Sequence, residues 1–208
     1  VAFARRGEGW PVSSELNLQL NYDALSVIEG AEVAGVTARA HLLDHNRVGA
    51  LARCVLGIAG DTIGTGTVRA VYIHNVVVPP QPSESMVRTA DTSLAELLAV
   101  RPSDEHPGQI LQQMADPMVF NATGSVHGGV AAAGLELAAS AHVWEERHRQ
   151  PFRTCSLQVN FLRPMVAGNG ARYTATTVNI GSTVAVVDAQ AVGDNSKTAA
   201  VGRLTAYR

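Results

Sequence analysis

Cysteine, aromatic residues and charged residues are all scarce in this chain. Its 208 residues include two cysteines, 5% aromatic side chains and 16% charged ones. Two cysteines cannot build the disulfide framework of a small secreted protein, and they fit a reducing cytoplasm, which is the compartment we expect. Acidic and basic residues nearly cancel, at 18 and 16. The charge therefore predicts no nucleic-acid partner, because such proteins carry a basic surplus.

Long uncharged hydrophobic runs are also missing. A membrane-spanning helix needs about 20 consecutive apolar residues, and the most apolar window here contains Glu136 and His142. We therefore expect no membrane span, and no signal peptide is recognisable at Val1. With 46% hydrophobic residues, the chain can form one large core or two small ones.

The most distinctive segment that is present is a long apolar one, Val126 to His148. Apolar residues fall on both sides of the predicted helix, so we expect the rest of the protein to wrap around it. Gly128 and Gly129 leave backbone N–H groups accessible at its start, where the helix dipole favours negative charge. Glu136 lies in the middle of the apolar run, and we expect a buried carboxyl with a raised pKa there.

A second pattern is an internal repeat. Leu18-Gln-Leu-Asn-Tyr22 alternates apolar and polar residues as a half-buried strand does, and Leu157-Gln-Val-Asn-Phe161 copies it 139 positions later. After a turn at Gly30 or Gly168, each copy continues into three further predicted strands. These strands are residues 33–43, 48–57 and 66–74 in the first copy and 171–180, 183–193 and 198–207 in the second. Four strands in the same order predict a true duplication.

The repeat predicts three regions in the chain. Residues 1–75 form an N-terminal unit, residues 76–108 a linker with a short helix, and residues 109–208 a C-terminal unit that carries the site. Pro79, Pro80 and Pro82 end the strand before the linker. Ser93 and Glu96 predict a capping box for a helix over residues 94–100, and residues 109–114 predict a strand.

The N-terminal unit is predicted to be incomplete. Val1 to Gly9 aligns only with the tail of the long helix, so this unit lacks its first strand and most of its helix. A sheet needs a covering layer to bury its inner face. We therefore hypothesise that the natural chain extends upstream, or that another chain covers this face; sequencing the N-terminus of the intact product tests the first possibility.

The motif around the helix start resembles a known family. The segment Asn121-Ala-Thr-Gly-Ser-Val-His-Gly-Gly-Val130, followed by Glu136 nine residues after His127, resembles acyl-CoA thioesterases of the hotdog superfamily, of the 4-hydroxybenzoyl-CoA and phenylacetate-degradation type. The strand that ends in Asn-Phe-Leu-Arg-Pro164 is also similar. The resemblance covers residues 90–208 well and the N-terminal copy weakly. It implies an α+β double hotdog, with two tandem units whose antiparallel sheets wrap a long central helix.

The resemblance implies a role for each matched residue. Glu136 either attacks the thioester carbonyl or activates water, and the sequence leaves both routes open. Gly128 is the implied donor to the oxyanion, and Asn121 orients the water or the carbonyl. His127 is expected to fix the loop before the helix, with a general-acid role left open. Thr154 matches a family position that acts on the partner unit's site; for Glu136 that counterpart would come from the N-terminal copy, where Ser14 and Glu15 stand.

The implied ligand is an acyl thioester of coenzyme A or of an acyl carrier protein, with water as the second substrate and no cofactor. Gly129, Val130, Phe161 and Arg163 are the candidate substrate-binding residues, and Gly134 is a weaker candidate for a pocket wall. Arg147, Arg149 and Arg153 are further candidates for coenzyme A phosphates, although an ordinary charged rim also explains them. Hotdog sheets usually pair, so the resemblance also implies a homo-oligomer of double-hotdog chains.

Other functions fit the sequence less well. His41, Asp44 and His45 suggest a metal site only superficially, because a solvated turn between strands also explains them, and the segment from His142 to His148 lacks zinc-protease spacing. An enoyl-thioester hydratase or dehydratase of the same fold would need a Gly-Asp-x-Asn-Pro-x-x-His loop, which is absent. A non-catalytic module that binds acyl-CoA remains the alternative from another class.

Overall fold

The computed structural model describes residues 9–30, 35–74, 91–106 and 108–208. The expectations for Val1 to Gly9 and for the three linker prolines fall largely or wholly outside these ranges. The strands are β1 (Trp10–Leu20), β2 (Thr37–His45), β3 (Gly49–Ile58), β4 (Asp61–Ile73), β5 (Val100–Pro102), β6 (Gln109–Gln113), β7 (Arg153–Phe161), β8 (Arg172–Ile180), β9 (Val184–Val192) and β10 (Thr198–Tyr207). The α-helices are α1 (Ala24–Gly30), α2 (Leu94–Leu97) and α3 (Gly128–Glu146).

The ten strands of the described residues form one antiparallel sheet, in the order β2-β3-β4-β1-β7-β10-β9-β8-β6-β5. The two predicted copies meet where β1 pairs with β7, and Leu18 lies directly opposite Leu157. These two residues occupy the same position in the repeated sequence, so the pairing lies on an approximate two-fold axis. From this axis the order β1-β4-β3-β2 on one side repeats as β7-β10-β9-β8 on the other.

The long helix α3 covers the C-terminal half of the sheet, packing on β6 to β10. Its buried side is made of small and aliphatic residues, with Leu135, Ala138 and Ala139 fully buried. Gly202 on β10 allows this close approach, since a Cβ there would lie 3.4 Å from a Leu135 methyl carbon. A helix on an antiparallel sheet is the hotdog arrangement that the resemblance implies.

Gly134 makes room for the largest buried side chain, Tyr173 on β8. A Cβ at Gly134 would come within 2.3 Å of the Tyr173 ring, a separation that real Cβ atoms do not show. The Tyr173 hydroxyl donates to Oε1 of buried Gln113 at 2.7 Å. Burial raises the pKa of Tyr173 well above its ordinary value. Gly134 is therefore a packing residue, and the expectation that it forms a pocket wall is wrong.

The N-terminal half of the sheet has one apolar and one polar face. Paired residues share a face in an antiparallel sheet, so Leu16 on β1, Val68 on β4 and Ala52 on β3 share the apolar one. These three residues are only half-buried. In the described part of the chain, α1 is the helix that packs on this half, against β4, and it covers one end through a small cluster around Ile58 and Ile63.

The structure corrects the sequence prediction at two places. The helix predicted over residues 94–100 has four residues, Leu94–Leu97, and Val100 begins β5. Its predicted capping box is present, with reciprocal hydrogen bonds between Ser93 and Glu96. Ala24–Gly30, where we expected only a turn, forms α1. This helix is too short for its periodicity to stand out in the sequence.

Candidate functional site

The start of α3 is held in place by His127. Its Nδ1 accepts a hydrogen bond from the N–H of Gly129 at 3.0 Å, which caps the helix. Its own N–H donates to the carbonyl of Val119 at 2.8 Å. No hydrogen bond to the N–H of Gly128 is found in the described part of the chain. This N–H is thus a donor left over at the positive end of the helix.

The loop before the helix is organised by Asn121. Its Oδ1 accepts from the N–H and the hydroxyl of Thr123, at 2.9 and 2.7 Å, and from the N–H of Ser125 at 3.2 Å. Its amide nitrogen donates to the Ser125 hydroxyl at 3.0 Å. These bonds hold a tight turn that leads into the helix. The Asn121 side chain is therefore engaged with its own loop in this conformation.

Glu136 lies two turns further along α3 and is half-buried, less than the sequence suggested. Its Oε1 accepts two hydroxyl hydrogen bonds, from Ser140 at 2.8 Å and from Thr154 at 2.6 Å. The two hydroxyl oxygens are 3.4 Å apart. Within the described residues, Oε2 accepts no hydrogen bond from the protein. The carboxylate is fixed through one oxygen, and the other remains available to a water molecule or a substrate.

The structure places Thr154 on the Glu136 of its own unit. Ser14 and Glu15, the counterparts in the N-terminal copy, contact Arg69 instead: Ser14 donates to its carbonyl at 3.2 Å, and the Glu15 carboxylate lies 3.6 Å from its guanidinium. Ser140 was missed by sequence reasoning. Its signal is the spacing of four residues from Glu136, which puts both side chains on one face of the helix.

The predicted site residues form two clusters on one helix. Asn121, His127 and Gly128 lie at its start, whereas Glu136 and Thr154 lie at its middle. A rise of 1.5 Å per residue separates the levels of Gly128 and Glu136 by about 12 Å along the axis. One thioester carbonyl cannot contact both. The structure does not bring the predicted oxyanion donor and the predicted acid together within one unit.

The candidate substrate-binding residues belong to the first cluster. Phe161 lies beside Gly128, and a Cβ on that glycine would meet the Phe161 ring at 3.5 Å, an ordinary contact. Val130 is half-buried and Gly129 exposed. Arg163 is exposed and donates to the carbonyl of Thr198 at 2.9 Å. Phe161 thus gives the helix start an apolar side, whereas the guanidinium of Arg163 is bound to the carbonyl of Thr198 on β10.

Other reactive groups lie away from these clusters or are unreactive. Burial raises the pKa of the Cys155 thiol, next to Thr154, so it is protonated at neutral pH and a poor nucleophile. His41 is exposed on β2, and the His45 ring lies 6.3 Å from that of Tyr72. Among the described residues, no three His, Cys, Asp or Glu side chains group as metal ligands would. Nor does the described part contain a helix long and apolar enough to cross a membrane.

Residues 117–207, which contain both clusters, match the family model of the acyl-CoA thioesterase N-terminal domain. This segment is a hotdog acyl-CoA thioesterase domain. The match supports a thioester hydrolase of the acyl-CoA thioesterase family. No curated protein matches the sequence.

Solved structures agree with this fold. The tesB protein of Mycobacterium avium subspecies paratuberculosis superposes with a TM-score of 0.62 at 11% identity, over 99% of this chain and 81% of its own. Acyl-CoA thioesterase II TesB2 of Mycobacterium marinum gives 0.63 at 11% identity, over 95% and 80%. A hot dog fold protein of unknown function from Alicyclobacillus acidocaldarius gives 0.57 at 14% identity, over 98% and 81%. The expected double-hotdog fold is confirmed.

Proposed function

We propose that this thioesterase hydrolyses an acyl-CoA to the free acid and coenzyme A, with Glu136 as the reacting carboxylate. The observation that carries this proposal is the pair of hydrogen bonds that Ser140 and Thr154 donate to Oε1, at 2.8 and 2.6 Å, which leaves Oε2 available. Two charge-assisted hydrogen bonds hold the carboxylate in one orientation. Such preorganisation is what an attacking group or a general base requires.

Two routes use the same oxygen. In the first, Oε2 takes a proton from water while the water oxygen bonds to the carbonyl carbon. The carbon–sulfur bond then breaks, and the thiolate takes up the proton that Glu136 had accepted. In the second, Oε2 itself bonds to the carbonyl carbon and expels the thiolate. Water then adds to the acyl carbon of the resulting anhydride, the bond to Oε2 breaks, and the products are the Glu136 carboxylate, the carboxylate of the free acid and two protons, one of which neutralises the thiolate while the other passes to solvent. Both routes need a donor for the negative charge on the carbonyl oxygen.

We propose that the donor comes from the start of a different α3 helix. The Gly128 N–H is suited to the role because it has no partner in the described residues and lies at a helix start. The axial distance of about 12 Å excludes its own Glu136 as the second contact. The described N-terminal unit, residues 9–30 and 35–74, contains no counterpart of the His-Gly-Gly segment. A second copy of the chain would supply one.

The test is thiol release from acetyl-, octanoyl- and benzoyl-CoA and from an acyl carrier protein thioester, comparing wild type with Glu136→Gln. The substitution keeps the shape of the side chain and removes its charge. We expect it to lower kcat by at least about 100-fold, the scale on which positioned acid–base groups act. A variant with wild-type kcat would remove Glu136 from the mechanism.

The alternative is a module that binds acyl-CoA without turnover. The specific observation in its favour is the split of the predicted residues into two clusters within one chain. Isothermal titration with a non-hydrolysable CoA thioether separates the two functions. If the protein binds the thioether but releases no thiol from any substrate, the result would support the binding module and reject hydrolysis.

A further inference from the structure

A small cavity lies behind Ser140, between the C-terminal part of α3, the segment that leads from α3 to β7, and strand β10. Its walls are formed by Ser140, Val143, Trp144, Gln150, Phe152 and Ala206. Four of these side chains are apolar, and the polar ones are the Ser140 hydroxyl and the Gln150 amide. From the structure we infer that this cavity receives the end of the acyl chain and restricts the thioesterase to short aliphatic acyl groups. This inference rests on the proposed function of Glu136.

The cavity lies next to the hydroxyl group that holds the reacting carboxylate. Ser140 is part of its wall and donates to Glu136 Oε1 at 2.8 Å. Ala206, also in the wall, pairs with Thr154 across β7 and β10. Glu136, Ser140 and Trp144 follow one another at intervals of four residues and so share one face of α3. An acyl chain whose carbonyl lies at Glu136 can extend past Ser140 toward Trp144.

The size of the cavity selects the substrate. Its volume is about 30 Å³, whereas one water molecule needs roughly 10 to 15 Å³ on this measure and a benzene ring occupies a cavity of about 150 Å³. About two water-sized groups fit, which corresponds to the one or two carbon atoms beyond the carbonyl of an acetyl or propionyl chain. Benzoyl and octanoyl groups do not fit without displacement of a wall.

Trp144 is the wall that can be changed without damage to the core. It is 43% exposed, whereas Val143 and Ala206 are 2% exposed and support the packing of α3 on the sheet. Replacing Trp144 with alanine should open the cavity toward solvent and leave the buried contacts in place. Trp144→Phe retains an aromatic wall, and its preference for short acyl chains should lie between those of wild type and Trp144→Ala.

The first experiment measures kcat/KM for acetyl-, propionyl-, octanoyl- and benzoyl-CoA. In wild type we expect kcat/KM for the two short substrates to be at least about tenfold higher than for octanoyl- and benzoyl-CoA, since a misfit of one methylene in an apolar pocket changes kcat/KM by about 10-fold or more. Trp144→Ala should reduce this ratio by about tenfold or more. Val178→Ala, at a 50% exposed position on β8, is the matched control and should keep the wild-type ratio. A wild-type preference for octanoyl or benzoyl groups, or an unchanged ratio in Trp144→Ala, would overturn the inference.

The second experiment separates this inference from the proposed function. Titration calorimetry with S-propyl- and S-octyl-CoA measures chain-length preference without hydrolysis, so it gives a result even if the wild type releases no thiol. We expect tighter binding of the propyl compound by the wild type and a loss of this preference in Trp144→Ala. If the wild type prefers S-propyl-CoA and Trp144→Ala loses this preference, but no thioester is hydrolysed, the proposed function is rejected and the subsite is retained. Equal binding of both compounds by the wild type would reject the subsite.

Discussion

Substituting Gly128 with proline removes one hydrogen atom from the proposed oxyanion donor and should disturb little else. Gly128 is the first residue of α3, the position where proline is best tolerated because its N–H has no partner within the helix. A proline also requires the preceding residue to be extended. His127 has φ −59° and ψ 136°, which already meets this requirement.

The available space is adequate too. The Cβ of a residue at 128 would lie 3.5 Å from the Phe161 ring, which is normal van der Waals contact. We therefore expect the Gly128→Pro variant to melt within a few degrees of wild type. Gly128→Ala is the control, because alanine adds the same Cβ and keeps the N–H.

The expected effect on catalysis follows from the loss of one preorganised donor. Removing such a donor from an oxyanion hole costs about 2.7 to 4 kcal/mol in the transition state, or 100- to 1,000-fold in kcat. Steady-state thiol release from the best substrate should show this loss in Gly128→Pro, with Gly128→Ala within about fivefold of wild type. If Gly128→Pro keeps kcat within tenfold, or if Gly128→Ala loses as much, the N–H is not the donor and the reasoning fails.

Three further predictions test the split site and the core. A mixture of inactive Glu136→Gln and Gly128→Pro chains should recover part of the wild-type thiol release after subunit exchange, because one interface then has both intact groups; no recovery would count against a site shared between copies. Thr154→Val should lower kcat by about 10- to 100-fold, because it removes a hydrogen bond to a charged group that is worth roughly 1.5 to 3 kcal/mol. Thr154→Ser keeps the hydroxyl and should keep most of the wild-type kcat. An equal loss of kcat in both variants would mean that Thr154 acts through packing and not through its hydrogen bond. Tyr173 has a raised pKa in the folded state, so the unfolded chain loses this proton first as the pH rises above about 10, and urea denaturation should show stability declining there. In Tyr173→Phe this decline should be smaller, and an identical decline would contradict the burial argument.

The elements that could be predicted are those with a clear local pattern. The long helix was predicted over residues 126–148 and spans Gly128–Glu146, because a long apolar run with a glycine pair at its start allows few alternatives. The strands of both units were predicted because polar and apolar residues alternate along them. The repeat at Leu18 and Leu157 predicted the duplication, whereas the pairing of these two strands at the centre of the sheet is seen only in the structure.

The contacts that could not be predicted join residues far apart in the sequence. Nothing local indicates that Thr154 reaches Glu136, because that contact depends on how β7 lies beside α3. The contact of Gly134 with Tyr173 was equally unpredictable, and the glycine was therefore included as a weak candidate for a pocket wall. The division of the site into two clusters, in contrast, follows from helix geometry alone: eight residues of α-helix extend about 12 Å.

The split site and the half-covered sheet both require a partner structure: the site needs an oxyanion donor, and the sheet needs a cover for its apolar face. The N-terminal half of the sheet presents a half-buried apolar face on the side where α3 covers the C-terminal half, and β1 joins the two faces through Leu16, opposite Val159. Exposed apolar area of this kind favours association. The proposed reaction at Glu136 requires the start of a second helix of the α3 type, and the apolar face requires a helix of the same kind as its cover. A second copy of the chain can bring the start of its α3 to Glu136, but the buried side of that helix already packs on its own sheet, so the apolar face needs a cover of its own.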